Sequence, residues 1–185
     1  MIWVLLFLLV IVVAAIFFVF GSYNGLVRAR NRIEEAYAQI DVQLKKRYDL
    51  IPNLVETVKG YATHEKETLD AVISARNAGI NATGPIEQAE AENQISGALK
   101  SLFSITEAYP DLKANQNYLH LQETLTGVED KIAYSRQYYN DSVNKYNTRT
   151  ETFPGVLIAG AFNFNKREYF EAEGAARGPV QVKFD

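Results

Sequence analysis

Residues 2–20 read IWVLLFLLVIVVAAIFFVF, with no polar position among them. Beyond them apolar residues stop being continuous and become periodic. About 20 apolar residues rising 1.5 Å each cover the roughly 30 Å hydrocarbon layer of a bilayer. Residues 1–22 are therefore expected to form a transmembrane anchor, with Trp3 and Tyr23 as amphipathic side chains near the two interfaces and Phe20 closing the apolar run. A cleavable secretory signal needs a basic start, a shorter apolar stretch and small residues before the cut. This chain shows none of these.

After the anchor, Ile33, Tyr37, Ile40, Leu44, Ile51, Val55, Val58, Ala62, Leu69 and Val72 recur mostly in steps of three and four. That is a helical period with a narrow seam, as in coiled coils. It predicts a helix over about 23–78, stopped by Gly79, Asn81 and the Gly84-Pro85 pair. A second helix is expected over 86–108, its first part EQAEAENQ exposed and Ile95, Leu99, Leu102 and Phe103 facing inward. The third is expected over 110–149, with Pro110 in its first turn and a seam of Leu121, Leu125, Val128, Ile132, Ser135, Tyr139, Ser142 and Tyr146. The expected fold class is all-α: an N-terminal transmembrane helix followed by an elongated antiparallel helical bundle spanning 23–150. An apolar C-terminal segment (151–173) and an irregular tail (174–185) complete the division.

Pro52 breaks the logic of the first long helix. A proline there removes one ladder donor and crowds the carbonyl four residues back, that of Tyr48, at a cost of about 3 kcal/mol. The freed carbonyl needs another donor, and Arg47 or Asn53 stands near in sequence. A bend that wraps the helix around its partner is one account. The other is a recognition surface made of Arg47, Asp49, Pro52 and Asn53.

Charge adds an orientation. Arg28, Arg30, Arg32, Lys45, Lys46 and Arg47 follow the apolar run and no cation lies within it. By the positive-inside rule the N-terminus is expected outside and the bulk of the chain in the cytoplasm of a cell-membrane protein, with an extracytoplasmic bulk as the alternative. The net charge of -3 offers no basic face for nucleic acid. Without cysteine there is no disulfide, thiolate metal site or thiol nucleophile.

The two histidines do not fit a metal site. His64-Glu65 lacks the second histidine of a zincin, position 68 being Thr. Neither His64 nor His120 has the Glu three residues before it that di-iron bundles use. Paired acids such as Glu34-Glu35 or Glu171 and Glu173 read as solvated surface. No catalytic residue, metal ligand or cofactor is expected, and the chain is expected not to be an enzyme.

Two further features invite partners. Tyr134, Tyr138, Tyr139, Asn140, Asn144, Tyr146 and Asn147 concentrate late in the third helix, either as a polar layer fixing register or, through Tyr138 and Tyr139, as an interface. FPGVLIAGAFNF is too short to cross a bilayer. It is expected to cap the bundle or to dock, through Val156, Leu157 and Phe162, on the membrane surface or a neighbouring protomer.

RNRIEEAYAQIDVQLKKRYDLIPNLVETVKGYATHEKETLDAVISAR, YPDLKANQNYLHLQETL and YYNDSVNKYNTRTETFPGVLIAGAFNFNKREYF together resemble the bacterial LemA family, in order and at matching spacing, over residues 23–170. The resemblance implies a short N-terminal stub, one membrane span, an all-helical bundle and no established enzymatic activity. It also implies a role touching envelope organisation or membrane remodelling. The expected function is a non-enzymatic, self-associating scaffold on the membrane, with membrane lipids and copies of itself as partners. The alternative is an adaptor or regulator of another membrane protein, such as a protease or sensor complex.

Overall fold

The structure, a computed structural model, describes residues 1–171. Among the described residues there are six helices and no strand: α1 (Ile2–Lys59), α2 (Lys66–Asn81), α3 (Gly84–Thr106), α4 (Pro110–Lys113), α5 (Gln116–Glu151) and α6 (Gly155–Ala161). The chain is an all-α helical bundle whose first helix opens with a stretch long and apolar enough to cross a membrane. The tail expected to be irregular, 174–185, lies outside the described residues.

Three sequence-based expectations change. The helix expected over 23–78 is two helices, separated at residues 60–65. The amide nitrogens of Tyr61 and Ala62 both return to the Val58 carbonyl, at 3.0 and 2.8 Å, which tightens the last turn of α1 and closes it. Ala62, Leu69 and Val72 stay buried across the break, so the apolar spacing carries no trace of it. The helix expected from 110 is likewise divided into α4 and α5. Asn115 caps α5 by accepting the Tyr118 amide on Oδ1 at 3.1 Å, satisfying one of the donors a helix start leaves open. Finally, EQAEAENQ is only half exposed: Glu87, Glu90, Asn93 and Gln94 face outward, but Gln88, Ala89, Ala91 and Glu92 are buried. Arg47 and Tyr48 supply polar partners that the periodicity of α3 alone does not show.

The chain forms two compact units, and α1 and α5 contribute to both. In the first, Met1–Ala38 with Gln137–Glu168, the buried hydrophobic residues are Leu26, Ile33 and Ala36 of α1, Tyr139, Val143 and Tyr146 of α5, and Ile158, Ala159 and Phe164. The segment after α6 has no helix of its own. Its backbone is held by α5 instead: Tyr139 donates to the Glu168 carbonyl (3.0 Å) and Tyr146 to that of Asn165 (2.9 Å). Asn147 gives its amide to the Arg167 carbonyl and accepts the Arg167 amide, both at 2.9 Å. Burial pushes the Tyr139 phenol up to about 12, so it stays a donor at any physiological pH. Where α6 begins, a Cβ on Gly155 would lie 2.0 Å from the Arg149 carbonyl oxygen, so the turn out of α5 demands glycine there.

In the second unit α2 packs on α3, and Ile51, Leu54, Val58, Val72, Ile95, Leu102, Leu112 and Leu125 belong to one buried apolar cluster. Pro52 sits on the exposed side of α1. The carbonyl it orphans, that of Tyr48, accepts a hydrogen bond from Arg76 Nε of α2 at 2.8 Å. Neither Arg47 nor Asn53 fills that role. A long-range donor thus replaces the missing rung and ties α2 to α1 at the proline.

Arg76→Ala should cost about 1–2 kcal/mol, because it strands a half-buried carbonyl. In a Pro52→Ala background the new amide at 52 takes over the Tyr48 carbonyl, and the same substitution should cost clearly less. Denaturant unfolding of the four full-length proteins checks this, and additive effects of the two substitutions contradict it.

Candidate functional site

Arg47 lies at a seam position of α1, three residues after Leu44 and four before Ile51, and is 1% exposed. A guanidinium that deep needs compensation from every side. Its Nη1 pairs with Glu129 Oε2 of α5 and lies 3.3 Å from Glu92 Oε2 of α3. Its Nη2 donates to Ser96 Oγ (3.0 Å) and to the Glu92 carbonyl (3.3 Å). Ser96 Oγ is in turn 2.6 Å from Glu129 Oε1. One cation therefore joins α1, α3 and α5.

The next residue extends the network. Tyr48 donates its hydroxyl proton to Glu92 Oε1 and accepts from Gln88 Nε2 at 2.7 Å. Gln88 Nε2 also reaches the Gly79 carbonyl of α2 at 3.2 Å. This approach requires a glycine, since a Cβ at 79 would stand 2.7 Å from the Tyr48 hydroxyl. Burial raises the Tyr48 phenol well above its ordinary value, and its bond to the Glu92 carboxylate adds to the effect.

Glu92 is as buried as Arg47. Burial raises its carboxyl above the ordinary 4.5, outweighing the opposing pull of the Tyr48, Arg47 and Gln88 contacts, while the nearby Glu129 charge pushes the same way as burial. Glu92 Oε2 and Arg47 Nε are buried without a hydrogen-bond partner, and Glu92 Oε2 is held by charge alone. Such an arrangement suits a clasp between helices. Two acids share one arginine, with a serine and a tyrosine fixed among them. Among the described residues no group of His, Asp and Glu is disposed to hold a metal.

The residues singled out from the sequence fall into three places. Arg47 is internal, while Asp49, Pro52 and Asn53 are exposed, Asp49 pairing with Lys45 at 3.4 Å. Tyr139 is buried against the segment after α6; Tyr138 is 38% exposed. Val156, Leu157 and Phe162 are exposed on and beside α6, and the Phe162 ring meets Tyr23 edge-on at 5.0 Å. Trp3 and Phe20 are exposed along with every large apolar residue of the run they bound. Sequence reading missed Glu92, Glu129, Gln88 and Arg76. A signal existed for two of these: Gln88 and Glu92 precede Ile95 and Leu99 at steps of four and three, polar occupants of an apolar seam.

A bundle clasped by buried charge and preceded by a bare apolar helix defines a membrane-associated helical protein. Comparison with known proteins gives the particular kind. The LemA family model matches residues 36–184. The chain belongs to the LemA family. It is similar to protein LemA of Metamycoplasma hominis, 29% identical over 94% of this chain and 80% of the relative. It is also similar to magnetosome protein MamQ 2 of Paramagnetospirillum magneticum, 25% identical over 91% and 72% of the two chains. Magnetosome protein MamQ of Magnetospirillum gryphiswaldense is 24% identical over 85% and 68%.

Removing one member of the clasp should be far worse than removing two. Arg47→Met strands buried Glu92 and should destabilise by about 3–5 kcal/mol, whereas Arg47→Met with Glu92→Leu should recover most of that loss. Glu129, being half-exposed, hydrates on its own. Equal losses in the single and double variants, measured by denaturant unfolding, contradict the account.

The clasp also carries a pH signature. Because the folded Glu92 value lies above the unfolded 4.5, the folded chain holds a proton that the unfolded chain lacks in the interval between them. The stabilisation from Glu92 is thus complete below the unfolded value and is lost as pH rises through the folded one. The stability of wild type relative to Glu92→Gln should fall across that interval and then level off. A difference that grows with pH refutes the raised value.

Proposed function

We propose that the protein is a non-enzymatic, membrane-anchored scaffold that self-associates and thereby contributes to the organisation of a membrane or envelope. The observation that carries this reading is the continuity of α1. One helix, Ile2–Lys59, holds the exposed apolar run and also the buried residues Leu26, Ile33, Ile40 and Ile51, with no linker between anchor and fold. A chain built to act freely in solution has no use for such a joint, whereas a scaffold does. The self-association surface is the exposed side of α5, where Tyr134 and Tyr138 stand one turn apart, 71% and 38% exposed, since exposed aromatic pairs are characteristic of interfaces. Asp49, Pro52 and Asn53 offer a second exposed face on α1. The arginines after the run, Arg28, Arg30 and Arg32, orient the bulk of the chain to the cytoplasm.

Full-length protein extracted into lipid nanodiscs should give a defined multiple of the 20.8 kDa chain mass by light scattering. Tyr134→Ala with Tyr138→Ala should lower that multiple while leaving helicity unchanged. A wild-type monomer, or an unaltered mass in the double variant, argues against self-association through this surface. Co-purification of one stoichiometric foreign membrane protein with monomeric chain would point to an adaptor instead.

For orientation, a cysteine replacing exposed Val42 should resist a membrane-impermeant maleimide until cells are permeabilised. Labelling of intact cells would reverse the assignment.

A further inference from the structure

Within the first unit a cleft of about 460 Å³ opens where α1 leaves its apolar run. One wall is α1 itself, with Phe18, Gly21 and Gly25; the other carries Arg149, near the end of α5, and Phe153 just beyond it. Phe18 and Gly25 are about 10 Å apart along a helix rising 1.5 Å per residue. The polar layer of a bilayer leaflet is about 5–7 Å deep, the difference between its full and hydrocarbon thicknesses shared over two faces. With the apolar run of α1 set in the hydrocarbon of a bilayer, the cleft would begin in that layer and end at the level of the phosphates.

Its walls change character over the same distance. Phe18 and Phe153 are 50% and 80% exposed. Gly21 and Gly25 leave the floor flat, with nothing within 4 Å of a Cβ added at either. Arg149 is exposed, and one of its five donors makes a long 3.5 Å bond to the Gly25 carbonyl. Among the described residues no carboxylate forms an ion pair with it, and Glu151 nearby pairs with Lys166. Arg28, exposed, follows Gly25 by three residues and so lies on the same side of α1.

The apolar residues of α6 belong to the same level. Phe162 packs on Tyr23, three residues beyond the apolar run, and Leu157 is 64% exposed. Exposed apolar surface beside a membrane-crossing helix has the bilayer as its nearest neighbour. An order of apolar wall, flat floor and exposed guanidinium matches the order of acyl chain, glycerol and phosphate.

We propose that this cleft binds an anionic phospholipid of the bilayer that α1 crosses. The headgroup phosphate lies on Arg149 with Arg28 beside it, an acyl chain runs along Phe18 and Phe153, and Leu157 of α6 enters the interface of the same leaflet. The inference rests on α1 crossing a membrane, which the scaffold reading shares, but not on self-association.

The test uses full-length protein in phosphatidylcholine vesicles doped with spin-labelled phosphatidylglycerol or spin-labelled phosphatidylcholine, and reads the motionally restricted fraction of each. Wild type should prefer phosphatidylglycerol. Arg149→Gln should reduce the preference about fivefold, the factor corresponding to about 1 kcal/mol per cation near an anionic surface. Arg149→Lys should restore part of it, and Lys100→Gln should leave it unchanged. Equal restriction of both lipids by wild type, or an equal loss in Lys100→Gln, overturns the site. So does competition by inorganic phosphate, which would mark a site for a soluble anion.

Because the chain has no cysteine, a nitroxide on Leu157→Cys or on Leu8→Cys reports depth by collision with oxygen against an aqueous nickel chelate. Both labels should favour oxygen. A watery Leu157→Cys with a lipid-facing Leu8→Cys overturns the cleft alone; two watery labels overturn the membrane span with it.

Discussion

A guanidinium withdrawn from water dictates the positions of everything around it, and Arg47 does so in this bundle. Apolar contacts between helices tolerate sliding and small rotations, since one methyl group can replace another. The contacts of Arg47 do not: its partners are two carboxylates, a hydroxyl and a backbone carbonyl from two other helices, each within 3.3 Å. Any other register leaves charge buried and unpaired, at several kcal/mol. Tyr48 and Gln88 carry the same constraint on to Gly79 of α2. The apolar cluster supplies most of the driving force for collapse in this unit. The clasp selects which collapsed arrangement is reached.

The seams were readable because helical periodicity survives in the sequence without any knowledge of partners. All eight seam residues of α5 from Leu121 to Tyr146 are buried or partly buried, and those of α1 from Ile33 to Val58 likewise. The apolar run at the start was readable for the same reason. What could not be read was local or long-range. The closing of α1 at Val58 and the capping of α5 by Asn115 change hydrogen bonding without changing the spacing of apolar residues. The polar stretch at the start of α3 suggested solvent, because composition alone cannot tell a solvated acid from one matched by an arginine 45 residues earlier. Pro52 announced an orphaned carbonyl, but its donor, Arg76, lies 28 residues from the acceptor and outside any local rule. The Arg149 cleft left no pattern at all, being assembled from two segments 124 residues apart.

The tyrosines and asparagines late in α5 illustrate a third kind of outcome. Their abundance on a helix implied polar work, and the work concerns a segment with no regular structure. Tyr139, Tyr146 and Asn147 reach the backbone of residues 165–168 and supply the hydrogen bonds that a helix or strand would have provided there. The ring of Phe164 is buried between this segment and the start of the fold, with Tyr23 edge-on at 5.6 Å and the Arg30 guanidinium 5.8 Å from its centre. An irregular stretch is thereby tied down as firmly as a regular one.

That mode of attachment has an evolutionary consequence. Since α5 grips peptide groups at Asn165, Arg167 and Glu168, and among the described residues only Lys166 and Arg167 add side-chain ion pairs, with Glu151 and Glu34, the number of residues there is more tightly held than their identity. Drift in this stretch should accumulate as point changes. A one-residue insertion or deletion would put every peptide group out of step with its tyrosine or asparagine, and a proline at 167 would delete the amide that Asn147 holds.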